Sequence, residues 1–139
     1  MNIKKLIDDA IKARRLAYVP YSKFKVGAAL LLKDGSVYQG CNIENASYPA
    51  TNCAERTAFF KAISDGKFNF EAIAIVGGTA NVDENNLEYC PPCGVCRQVM
   101  REFCSPKEFK IILAKSSDEF KVYTLDQLLP ESFGPDNLN

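Results

Sequence analysis

The stretch KVGAALLLKDGSVYQGCNIE (residues 25–44) decides the fold. KVGAALLL, residues 25–32, is an apolar run of strand length, the Asp34-Gly35 pair turns the chain, and VYQGCNIE, residues 37–44, returns as a second strand. Upstream, residues 2–16 place Ile3, Leu6, Ile7, Ala10, Ile11 and Arg14 at helical spacing behind Asn2 as a cap. Val19, Pro20, Tyr21 and Ser22 break that helix. Downstream, a loop through Pro49 leads to a helix over residues 53–65 closed by Gly66. FEAIAIVG, residues 70–77, reads as a buried strand, residues 78–91 as a polar loop, and residues 93–104 as a helix opening after two prolines. FKIILA (109–114) and EFKVYT (119–124) are strands around a polar turn, and a short helix over 125–130 stops at Pro130. The order α-β-β-α-β-α-β-β-α predicts an α/β fold, a three-layer αβα sandwich around one mixed central sheet of about five strands. No repeat or linker divides the chain, so residues 1–139 read as a single domain.

Composition prunes the functions available to such a fold. Seventeen Lys plus Arg balance seventeen Asp plus Glu, which argues against holding nucleic acid or anionic lipid by bulk charge. No run approaches the ~20 apolar residues of a membrane span. The opening MNIKKLIDDAIKARR has early acids and no continuous apolar stretch, unlike a signal peptide, so a cytoplasmic location is expected. There is no histidine, which removes Ser-His-Asp triads, Cys-His dyads and every His-containing metal site. Six cysteines, at 41, 53, 90, 93, 96 and 104, read in a reducing compartment as metal ligands or small buried apolar groups.

Chemistry concentrates in TNCAERTA (residues 51–58) and CPPCGVCRQV (residues 90–99), each with a cysteine at the start of a predicted helix. Helix N-termini carry partial positive charge and free N–H groups that stabilise thiolates. Cys93 and Cys96 have the two-residue spacing that chelates a metal from one helical turn, and Cys53 supplies a third thiolate. Three protein ligands plus water is the arrangement of catalytic zinc, one ion per chain. If Cys90 joined, the same residues would make a closed four-cysteine structural zinc module without enzymatic activity. Pro91 and Pro92 favour an extended path that carries Cys90 away from the helix start. Cys41 and Cys104 read as buried apolar thiols. Glu55, two residues after Cys53, diverges from it by about 200° within a helix body, so the two converge only on a metal off the helix end. Asn52 as a cap with Glu55 three residues on is the plainer alternative. Beside three cysteines and without histidine, Glu55 is the natural general acid and base, its pKa raised by desolvation near an anionic centre. Three thiolates outweigh a zinc dication, and Arg56, on the face of Cys53, is placed to draw that charge off. Arg97 and Gln98, beside Cys96, are candidates for similar support.

TNCAE followed by PCGVCRQ resembles the signature of zinc-dependent cytidine deaminases, specifically the small three-cysteine homotetrameric kind. AYVPYSKFKVGAALL, GCNIENASYP and LLPESF extend the resemblance over most of the chain. It implies hydrolysis of cytidine and 2′-deoxycytidine to uridine or 2′-deoxyuridine and ammonia, in pyrimidine salvage, with Glu55 moving the protons. Alternation along 37–44 puts Asn42 and Glu44 on one face, where an amide and a carboxylate hold a sugar hydroxyl, and matching residues in similar enzymes bind the ribose. Phe24 is placed to stack on the pyrimidine or line its pocket. The resemblance further implies that the backbone N–H of Ala54 binds the base carbonyl, and that Tyr48 and Phe133 reach a neighbouring subunit's site. The expected partners are therefore a small nucleoside and further copies of the chain, with no nucleic acid and no membrane. Another cytosine-containing nucleoside, such as a nucleoside antibiotic, is the nearest rival substrate.

Overall fold

The computed structural model describes all 139 residues. In chain order the elements are α1 (Ile3–Arg14), β1 (Phe24–Leu32), β2 (Val37–Cys41), α2 (Ala54–Ser64), β3 (Phe70–Thr79), α3 (Gly94–Phe103), β4 (Lys110–Ser116), β5 (Glu119–Thr124) and α4 (Leu125–Leu128). Single turns of 3-10 helix lie at Tyr48–Ala50 and Pro135–Asn137. The five strands form one mixed sheet in the order β2-β1-β3-β4-β5, with only β3 and β4 parallel.

Period-two alternation in the central strands assigns side chains to the two faces. Ala28, Leu30, Ile73, Ile75, Ile111 and Leu113 point to the side covered by α2, α3 and α4, where Phe59, Met100 and Leu125 complete the core. Ala29, Ala72, Ala74, Val76 and Ile112 point to the other, where Leu6, Ile7 and Ala10 of α1 seal it. This is the expected three-layer α/β sandwich. Small residues face α1 because one helix must lie close over three strands. Asn2 caps α1 as expected, its side chain accepting from the Lys5 N–H at 3.1 Å. Arg14, at a helical position shared with apolar residues, is buried and donates to the carbonyls of Lys25, Gly78 and Thr79.

Boundaries differ where backbone pairing, not side-chain pattern, sets them. The second strand ends at Cys41, not residue 44, because pairing with β1 ends at Gly27–Cys41 and Ile43 bridges Tyr18 and Asn52 instead. β3 runs to Thr79 because Phe24 and Lys25 pair with Thr79 and Gly78. The last helix stops at Leu128, two residues before Pro130.

Gly40 sets the distance from β2 to α2: a Cβ there would collide with the Ala54 carbonyl and the Ala58 N–H. The obstruction is backbone, so α2 would have to shift. Gly40→Ala is expected to destabilise the fold by about 1–3 kcal/mol, the usual cost of overpacking, read as a lowered melting temperature. An unchanged melting curve would show that α2 has slack at its first turn.

Candidate metal centre and active site

Both helix starts that carry cysteine open on the same face of the sheet. Cys53 is the N-cap of α2 and Cys93 the N-cap of α3, each with extended backbone and neither capping its helix with its side chain. Two helix N-termini therefore bring partial positive charge and unpaired N–H groups to one place. An N-cap side chain and the third helical residue lie close together, the geometry that a capping box uses. Here that pairing recurs with different chemistry. Cys93 and Cys96 sulfurs stand 3.5 Å apart, and an Arg56 guanidinium nitrogen lies 3.2 Å from the Cys53 sulfur. The α2 cap is Cys53 rather than Asn52, whose amide donates to the Thr57 hydroxyl instead.

The Cys53 and Cys93 sulfurs are 3.8 Å apart, and those of Cys53, Cys93 and Cys96 all lie within 4.8 Å of one another. A tetrahedral zinc with Zn–S of ~2.3 Å sets neighbouring sulfurs about 3.8 Å apart, so this donor set fits zinc. The Cys90 sulfur is not in the cluster. It packs against Gly77 of β3, 2.8 Å from where a Cβ would stand, and burial pushes its thiol up to about 12. That placement disfavours the four-cysteine module. Cys41 and Cys104 are half-buried thiols raised by burial.

Glu55 is the second residue of α2, with the N-cap Cys53 standing off the helix end, which resolves the divergence expected within a helix body. Its side chain is 4% exposed, and its Oε1 has no hydrogen-bond partner. Burial, reinforced by the charge on Cys53, pushes its carboxyl up to about 7. A hydrogen bond from the Cys96 thiol and the Arg56 guanidinium both hold the Cys53 thiol below its usual range. Burial opposes the charge on Arg56, but hydrogen bonds to the Cys53 and Cys96 sulfurs outweigh it and hold the guanidinium protonated.

Ala54 is buried as the first residue of α2, where a backbone N–H has no partner inside the helix. Phe24 opens β1 half-buried, its ring edge 3.1 Å from the Cβ that Gly77 lacks, so Phe24 and Cys90 meet over that glycine. The Asn42 amide accepts from the Val26 N–H and donates to the Phe24 carbonyl, both at 2.9 Å. Asn42 and Glu44 lie outside β2, flanking Ile43, which bridges Tyr18 and Asn52. Glu44 lies beyond the strand and lines a cavity of about 390 Å³ with Tyr21, Ser22, Tyr48 and Thr51. Tyr48 is 71% exposed and meets Tyr21 edge-on, ring centroids 6.0 Å apart. Tyr21, Ser22 and Thr51 were not marked by sequence; the turn chemistry of Pro20-Tyr21-Ser22 is the only signal they offer.

Arg97 and Gln98 do not support the sulfurs. One or two residues past Cys96 they lie about 100–200° round the helix, and their donors go elsewhere. Arg97 donates to the Pro92 and Leu128 carbonyls, and Gln98 to the Phe133 carbonyl at 2.9 Å. With Arg101, which donates to the Ser132 hydroxyl and Asp136, they pin the C-terminal tail along α3. Phe133 itself is left 60% exposed.

Residues 1–112 match the family model described as the cytidine and deoxycytidylate deaminase zinc-binding region. Over all 139 residues the chain is 51% identical to a cytidine deaminase of Halalkalibacterium halodurans, spanning 99% of that protein. It is 49% identical to one of Sporosarcina psychrophila, spanning 96% of it. The crystal structure of a cytidine deaminase from Burkholderia pseudomallei is similar at 46% identity and a TM-score of 0.82, the alignment covering 93% of this chain and 97% of that one.

Proposed function

The chain belongs to the cytidine and deoxycytidylate deaminase family, and from that premise we propose that it hydrolyses cytidine and 2′-deoxycytidine to uridine or 2′-deoxyuridine and ammonia. The observation that carries this reading is the three-sulfur cluster at zinc spacing beside a buried carboxyl oxygen with no partner. The names of the relatives favour cytidine over a nucleoside antibiotic as the substrate.

Cys53, Cys93 and Cys96 would hold one zinc ion. A zinc so held is a Lewis acid that makes water a nucleophile near neutral pH. Glu55, with a pKa near 7, takes a proton from the attacking water and delivers protons to ring nitrogen 3 and to the departing amine. Carbon 4 exchanges its C–N bond for C–O, and ammonia leaves. Arg56 draws electron density from the Cys53 sulfur, which offsets the excess thiolate charge. The Ala54 N–H faces the base carbonyl from the start of α2, and Phe24 lines the base. Asn42 and Glu44 take sugar hydroxyls. Gln98 acts at one remove, holding the tail that carries Phe133.

Tyr48 and Phe133, exposed aromatics in one chain, reach a neighbouring subunit's site in a homotetramer of single-domain chains. Six free thiols suit a reducing cytoplasm, and the reaction serves pyrimidine salvage. No helix is long and apolar enough to cross a membrane.

Purified, zinc-quantified protein incubated with cytidine should lose cytosine absorbance and release ammonia in equal amounts. Chelation should abolish turnover, and added zinc should restore it. Absence of turnover at one zinc per chain would overturn this reading.

A further inference from the structure

Glu44 is held by a device that the sequence did not reveal. Its Oε1 accepts from the backbone N–H groups of Tyr21 and Ser22, at 3.0 and 3.1 Å. Its Oε2 accepts from the Ser22 hydroxyl. A carboxylate offers about four acceptor sites, so these three bonds leave one, on Oε2. The Ser22 oxygen also accepts from the Phe24 N–H at 3.0 Å. One hydroxyl thus ties the sugar-side carboxylate to the residue that opens β1.

The turn that aims Ser22 is specific. Lys23, with φ 59°, lies in the left-handed region, unusual for a residue with a side chain. Its own backbone is pinned on both sides, the N–H donating to the Val19 carbonyl at 3.2 Å and the carbonyl accepting from Ala80 at 2.7 Å. Ser22 is exposed to the same cavity that Glu44, Tyr48 and Thr51 line, so its hydroxyl is not needed to satisfy a buried core.

We propose that Ser22 is the positioning residue of the sugar subsite. Its hydroxyl fixes Oε2 of Glu44 so that the remaining acceptor site faces a ribose hydroxyl. Without it, two backbone N–H groups still hold Oε1, but the carboxylate can rotate about that anchor. Ser22 therefore acts on nucleoside binding and not on the deamination step. The proposal rests on the deaminase reading and deepens it.

The test compares Ser22→Ala, Ser22→Thr and Ser22→Val on cytidine and on 2′,3′-dideoxycytidine. Ser22→Ala should raise KM for cytidine about tenfold, the loss expected for one charge-assisted hydrogen bond, with kcat within twofold. Thr keeps the hydroxyl and should restore KM, whereas Val, of the same shape, should not. On the dideoxy substrate, which lacks the 2′ and 3′ ring hydroxyls that Glu44 is proposed to accept from, the variants should match wild type. In a Glu44→Ala background, Ser22→Ala should add nothing. Equal KM for the Thr and Val variants, or an equal loss on both substrates, would overturn the role of Ser22 while leaving the deaminase intact. A wild-type chain that turned over neither nucleoside would overturn both.

Discussion

Glu55→Gln should leave one zinc per chain and an intact fold while lowering kcat by 10²–10⁴-fold or more, the range that positioned general acid-base groups supply. Gln has the shape of Glu, so the first turn of α2 and the nearby sulfurs keep their places. An amide cannot carry a proton between water, ring nitrogen and leaving amine. The carboxyl is a net cost to folding: it is buried with Oε1 unpaired, and burial outweighs its hydrogen bonds from the Glu55 backbone and Cys96, pushing its pKa up to about 7. The melting temperature should therefore hold or rise, as expected where a site trades stability for chemistry. Zinc content, melting curve and ammonia release measured on one preparation check all three. A kcat within tenfold of wild type would remove Glu55 from the mechanism.

Cys93→Ser separates metal binding from folding. Serine is a preferred N-cap, so α3 should start where it does now and gain a capping bond that the cysteine does not make. A neutral hydroxyl is a poor replacement for a soft thiolate. Zinc affinity should fall by more than the roughly 10–100-fold typical of losing an outer partner, and activity should disappear with the metal. Cys90→Ser should keep full zinc stoichiometry, because that sulfur packs on Gly77 away from the cluster. Zinc retained in the first variant and lost in the second would exchange the roles of the two cysteines.

The three-cysteine cluster was legible because chelation by one helical turn demands the local spacing of Cys93 and Cys96, and the lack of histidine left Cys53 few rivals as a third donor. Arg56 was legible for the same reason: three residues from an N-cap is a contact distance in any helix. The support expected of Arg97 and Gln98 was misread, since adjacency in sequence is not adjacency around a helix. The strand bounds around Asn42 and Glu44 were misread because extended backbone continues past Cys41 with new partners, Ile43 bridging Tyr18 and Asn52 in place of β1. An Asn that bonds to a neighbouring strand's backbone looks the same, in sequence, as one that points to solvent.

Local order therefore belonged to the sequence: the caps, the hairpin, the period-two faces of the strands, and the cysteine spacing of each helix start. These depend on interactions within a few residues, which composition and periodicity encode directly. Tertiary structure alone decided that Cys53 comes within 3.8 Å of Cys93, forty positions away. It also decided that Cys90 is excluded in favour of Gly77, and that Tyr21 and Ser22 grip Glu44. Those contacts arise from packing two helices on one face of a sheet and from folding a loop against a strand end. Their partners are chosen by close packing across long chain separations, which no local pattern specifies.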